Sequence, residues 1–95
     1  MKYEIRFDSK AENDVLEAAQ YYERQRTKLG NEFLDRLKEA SEIIQNHPRL
    51  FPLSHRNYRR ALLRQFPYAL YYRLEHKNIL VCAVLHQRQD QQFLG

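Results

Sequence analysis

The sequence predicts an α+β fold in the order β-α-α-β-β-β, a mainly antiparallel four-stranded sheet with an α-helical hairpin packed on one face. Three observations predict it. Apolar residues alternate with period two over the first seven residues and recur at helical spacing over two stretches that follow. After residue 57 the chain becomes rich in Tyr, Leu, Val and Ile. Between these halves lies a stretch with the Pro, Ser and Asn content of a connecting loop. The 95 residues enclose one modest core and leave no length for a second, so residues 1–95 are read as a single domain.

Met1 to Phe7 places Tyr3, Ile5 and Phe7 on one side and Lys2, Glu4 and Arg6 on the other, the pattern of a half-buried strand. Ser9 with Glu12 has capping-box spacing, in which each side chain satisfies a backbone N–H at a helix start. Ala11, Val15, Ala18, Ala19 and Tyr22 then recur at helical intervals, which predicts a helix to about Leu29 with Gly30 as its C-cap. Asn31 is the expected cap of a second helix, whose buried stripe reads Phe33, Leu34, Leu37, Ala40, Ile43 and Ile44 and which ends at His47-Pro48. Only a turn separates the two, so they pair as an antiparallel hairpin.

Residues 47–57 read as a loop containing Pro48, Pro52, Ser54 and Asn57. Strands are expected at Tyr58 to Arg64, Tyr68 to Glu75 and Asn78 to His86, with breaks at Gln65-Phe66-Pro67 and His76-Lys77. The last is almost continuously apolar, which predicts burial on both faces. The sheet face away from the hairpin is expected to be free.

Charge is unevenly placed. Residues 1–42 hold ten acids against eight Lys/Arg and residues 43–95 hold two against eight, so the halves carry −2 and +6 of the net +4. No acid lies between Glu42 and Glu75, a window containing Arg49, Arg56, Arg59, Arg60, Arg64 and Arg73. Such a surface suits a polyanion or an acidic protein. No run has the length of a membrane span and the first residues lack a signal-peptide core, so no membrane association is expected and the cytoplasm is the expected compartment. Cys82, the single cysteine, permits no intrachain disulfide and reads as a small core residue. His47, His55, His76 and His86 lack metal-ligand spacing, and neither metal nor organic cofactor is expected.

Several phrases, taken in order, resemble the RelE/ParE toxin superfamily of bacterial type II toxin-antitoxin systems. They are Glu17-Ala18-Ala19-Gln20-Tyr21-Tyr22-Glu23, Leu29-Gly30-Asn31-Glu32-Phe33-Leu34, Pro48-Arg49-Leu50-Phe51-Pro52, Arg59 through Tyr68, Tyr71-Tyr72-Arg73 and Val81 through Arg88. The resemblance covers nearly the whole chain and implies the same fold. It implies a growth inhibitor, associated with plasmid stabilisation, that a cognate antitoxin holds inactive. Two mechanisms exist within that superfamily. RelE-like toxins resemble ribosome-dependent mRNA endonucleases, and ParE-like toxins resemble inhibitors of DNA gyrase that have no nuclease activity.

Cleaving RNA through its own 2′-hydroxyl needs a proton acceptor, a proton donor and positive charge against the phosphate. His86 is the candidate acid or base, with Arg60 and Arg64 on one face of their strand by period two and Arg73 and Arg88 completing a phosphate clamp. This RelE-like endoribonuclease reading lacks support from the rest of the surface, because residues 43–74 contain no Lys, Asp or Glu to orient the histidine or assist it. Phe66-Pro67-Tyr68, Tyr71-Tyr72-Arg73 and His86-Gln87-Arg88 look more like the ParE branch, which is favoured and which is not an enzyme. Where that branch commonly has Arg-Arg-Asp-Pro after the histidine, this chain has Arg88-Gln89-Asp90-Gln91, a change expected to weaken a target contact made by that end. An inactive relative kept as a binding protein is a third reading. Arg59, Arg60, Arg64, Tyr72 and Arg88 are the candidate contacts to the target or the antitoxin. The receiving surface for the antitoxin is expected on the helical hairpin and the sheet edge.

Overall fold

A computed structural model describes residues 2–89. Strand β1 (Glu4–Phe7) leads into helices α1 (Ser9–Gln25) and α2 (Leu29–Asn46). Strands β2 (Leu53–His55), β3 (Tyr58–Leu62), β4 (Tyr68–Glu75) and β5 (Asn78–His86) follow, and a 3-10 turn spans Gln87–Gln89. No helix among these residues is long and apolar enough to cross a membrane.

The sheet has five strands in the order β1-β5-β4-β3-β2, and it is mixed, because β1 lies parallel to β5 while the other pairs are antiparallel. The expected four-stranded antiparallel sheet is corrected on both counts. A parallel pair needs a long connection, and the hairpin and three intervening strands supply it. The fifth strand, β2, comes from the segment read as a loop. Three residues flanked by Pro52 and a tight turn, where Arg56 has a φ of 53°, are too few to show alternation.

The helix boundaries also differ from those expected. Asp8, not Ser9, caps α1, its carboxylate accepting from the Ala11 amide at 2.9 Å. Between the helices, Lys28 turns the chain with a φ of 74° and offers no side-chain cap. Glu23 supplies one from the preceding helix, accepting from the amides of Lys28 at 3.0 Å and Gly30 at 3.1 Å. A carboxylate at that position also complements the positive end of the α2 dipole. Gly30 is therefore inside α2 rather than a C-cap, and Asn31 is not the N-cap. Its lack of a side chain serves the helix crossing: a Cβ there would lie 2.6 Å from the Ala19 carbonyl oxygen.

The main core lies between hairpin and sheet. Ala11, Ala18, Phe33, Leu37, Ala40 and Ile44 meet Ala61, Leu70, Tyr72, Ile79, Val81 and Val84, all buried. Tyr72 is fully buried and its hydroxyl donates to the Pro48 carbonyl at 2.7 Å, which anchors the 47–52 segment on the sheet. Strand β5 is buried along most of its length, as its composition predicts. It also carries a bulge. Tyr71 pairs with Ala83 and Tyr72 with Val81, which leaves Cys82 as an extra residue and reverses the facing of everything after it. Hence Ile79 and Val81, then Val84 and His86, face the helices. The opposite face is not bare, since Ala69, Tyr71, Ala83 and Leu85 form a second buried cluster there.

Candidate functional site

The strand registers divide the arginines and the histidine between two faces of the sheet. Pairing of Tyr58 and Arg60 alongside Arg73 and Tyr71 puts these four on the face away from the helices. There the Arg60 guanidinium lies over the Tyr71 ring at 6.0 Å and donates through Nε to its hydroxyl at 2.9 Å. Arg73 donates through Nε to Glu75 at 2.9 Å and reaches the Tyr58 hydroxyl at 3.5 Å. Hydrogen bonding to Glu75 raises the pKa of the Arg73 guanidinium further.

His86 is on the other face. It pairs with Tyr68, and the two rings meet edge to face at 5.3 Å, with Tyr68 in turn against Tyr22 of α1 and Phe33 of α2. The His86 Nδ1 accepts from the Arg88 amide at 3.0 Å, which leaves the ring proton to Nε2. Arg64 is also directed to the helices. β3 ends at Leu62, before period two carries Arg64 to the Arg60 side, and the Arg64 guanidinium forms a bidentate pair with Glu39 of α2, Nη2 to Oε2 at 2.9 Å. That contact holds the Glu39 carboxyl below its usual pKa. Gln65 similarly reaches Glu32, which with Arg26 lowers that carboxyl.

The structure therefore brings Arg60 and Arg73 together and keeps both from His86 and Arg64. Arg88 is exposed on the 3-10 turn beside His86. Arg59 is directed to the loop, donating to the carbonyls of Phe51 at 2.6 Å and Arg49 at 3.4 Å. Tyr72 is in the core, where burial pushes its phenol up to about 12. Asp90 and Gln91, the residues of the altered C-terminal motif, lie outside the described residues. No group of three His, Cys, Asp or Glu side chains among the described residues is placed to hold a metal ion.

A different surface has the character of a docking site. Ile5, Phe7, Val15, Leu16, Ala19, Leu34 and Leu37 line a groove of about 580 Å³ between the hairpin and β1, with Arg6 and Glu12 at its margin. Leu16 and Leu34 are 55% and 42% exposed, large apolar side chains presented to solvent. β1 is one of the two edge strands, and no strand pairs with its outer side among the described residues. Its Tyr3 end is closed by Gln45 of α2, whose carbonyl accepts from Tyr3 N at 3.2 Å and whose side chain donates to Tyr3 O at 3.0 Å. The backbone is open at Ile5 and Phe7, beside the groove.

The sequence marked most of these residues as apolar but assigned them to the core. Leu34 and Ile43 were counted in the buried stripe of α2, yet both are exposed. The signal was the width of the stripe. Adjacent pairs Phe33-Leu34 and Ile43-Ile44 spread it beyond the face that one sheet and one helix cover.

Over residues 5–91 the sequence matches the family model described as the ParE toxin of the type II toxin-antitoxin system parDE. No curated protein sequence matches significantly. Among solved structures, one described as the chromosomal ParDE TA system from P. aeruginosa shares the fold, with a TM-score of 0.77 and 13% identity over 90% of this chain and 96% of that one. The match over nearly the whole length, on a chain whose strands and hairpin have the same arrangement, places this protein in the ParE family of type II toxin-antitoxin toxins.

Proposed function

We propose that the chain inhibits growth by binding DNA gyrase rather than by cleaving RNA, and that a cognate antitoxin neutralises it by covering the apolar groove and the open edge of β1. The observation that carries this reading is the division of the candidate nuclease set. A proton acceptor must come within about 3 Å of the hydroxyl it serves while the cations meet the same phosphate. His86 and Arg64 face the helices, whereas Arg60 and Arg73 face away. Inhibition by binding requires no such convergence. Membership of the family supports an antitoxin partner, and the groove offers it exposed leucines next to unpaired strand backbone, the two features that extended and helical peptide segments use.

The test is controlled expression in bacteria with growth, reporter translation and DNA supercoiling followed in the same cells. Broken or trapped DNA with translation still running is expected, and His86→Ala is expected to retain toxicity. Early translation loss with cleaved mRNA, abolished by His86→Ala, would assign the chain to RNA cleavage. Normal growth with both processes intact would identify an inactive relative.

A further inference from the structure

On the flank of α1 away from the groove, a cavity of about 170 Å³ opens between the helix and the C-terminal end of β5. Its walls are unlike the rest of this basic chain. Asp14 and Glu17 contribute carboxylates, Tyr21 and Tyr68 contribute rings, and Gln89 contributes an amide. The rings are held in place before anything binds. Tyr22 meets Tyr21 edge to face at 5.2 Å and Tyr68 at 5.9 Å, and His86 braces Tyr68 from its strand neighbour's position. Asp14 is fixed as well, its Oδ2 accepting from Val84 N at 3.0 Å and from Lys10 Nζ at 2.8 Å. Among the described residues, Glu17 has only the neutral Asn13 amide as a hydrogen-bond partner, at 3.2 Å, and none of them compensates its charge with an ion pair. The Tyr68 hydroxyl is half-buried among these groups with no hydrogen bond to a described residue.

We propose that this cavity receives one cationic side chain, an arginine or a lysine, presented by a partner protein. Size excludes larger ligands: pockets for cofactors and drug-sized molecules run to about 300 Å³ and above, whereas a cavity near 150 Å³ admits a group the size of benzene. Chemistry selects the charge, because ring faces attract cations and the Glu17 carboxylate adds to that attraction. The source is a protein rather than a free amine. A side chain carried in by other contacts of a protein partner reaches the pocket at high effective concentration, an advantage that a free amine lacks. Burial and the surrounding tyrosines and carboxylates also keep the Tyr68 phenol protonated, able to donate to a carbonyl beside the incoming cation. The proposal does not rest on the gyrase reading, since any protein partner meets the same pocket.

The test is an NMR titration of the labelled full-length chain with N-acetyl-arginine amide and with N-acetyl-citrulline amide, which has nearly the same shape without the charge. Saturable shifts at Glu17, Tyr21, Tyr68, Val84 and Gln89 are expected with arginine, at an affinity roughly tenfold above that for citrulline. Glu17→Gln, at an exposed position, is expected to remove most of that difference while leaving the rest of the spectrum unchanged. Equal affinity for the two amides, or no saturable shift, overturns the proposal. Tighter saturation of the same signals by spermidine would assign the pocket to free polyamines and overturn the partner side chain.

Discussion

The Tyr72 hydroxyl and the Pro48 carbonyl form a buried pair that ties a loop to the central sheet, so removing one partner leaves the other unsatisfied. Tyr72→Phe is expected to cost about 1–3 kcal/mol, a drop in Tm of roughly 4–8 °C per kcal/mol for a chain of this size, read by thermal unfolding. The same residue predicts a pH dependence. Its pKa is raised from 10.0 to about 12 in the fold, so the neutral phenol is the favoured form. Its contribution is complete below pH 10 and is lost as pH climbs towards 12. The wild-type Tm is expected to fall more steeply than that of Tyr72→Phe across this range. At the scale of single residues, the sequence identified the candidate arginines but not what they touch. Nothing near Arg64 in the chain announces Glu39, 25 positions earlier, as its partner, and the acid-free window hid the fact that the compensating acid lies on a helix.

Helix and strand ends show the same division between local and distant causes. The amphipathic stripes located both helices, though not the end of α1 at Gln25 or the start of α2 at Leu29, because periodicity is local. The caps were misplaced because Glu23 closes α2 from across the interhelical turn, an interaction without a sequence spacing rule. Gly30→Ala isolates the consequence. In an exposed helix this change stabilises by about 1 kcal/mol, but here the new methyl would meet the Ala19 carbonyl oxygen at 2.6 Å. The helices must part, and a net loss of about 1–3 kcal/mol is expected from overpacking, measured as a lower urea midpoint. Loss of the α1 cap in Asp8→Ala is expected to cost about 1 kcal/mol by the same measurement, and Ser9→Ala far less. Strand β5 explains the histidine. Period two, counted along an uninterrupted strand, would separate His86 from Val81, and only the extra residue at Cys82 returns it to the helix side.

Across the whole molecule, the ordering of elements was legible because each carries its own periodicity, while the parallel placement of β1 beside β5 was not, because strand pairing leaves no mark on a single short strand. The groove between β1 and the hairpin is likewise a product of assembly. Leu16→Glu combined with Leu34→Glu changes only exposed side chains, so the fold is expected to persist. Protection by the antitoxin is expected to fall roughly 10- to 100-fold in affinity, as for buried interface anchors of about 2 kcal/mol or more, measured by binding and by rescue of growth on co-expression. The free wild type is expected to self-associate through these exposed leucines and the double variant to elute as a monomer at the same concentration, measured by size exclusion with light scattering. The bulge at Cys82 has a further, genetic consequence. Deleting that one codon would place Val81 directly before Ala83, opposite Tyr72 and Tyr71 as now, so the ladder becomes regular while Val84 and His86 keep the helix side. Three nucleotides of reading frame can therefore be lost at this position without exchanging the two faces of the sheet, because the buried cysteine they encode has no pairing partner in the ladder.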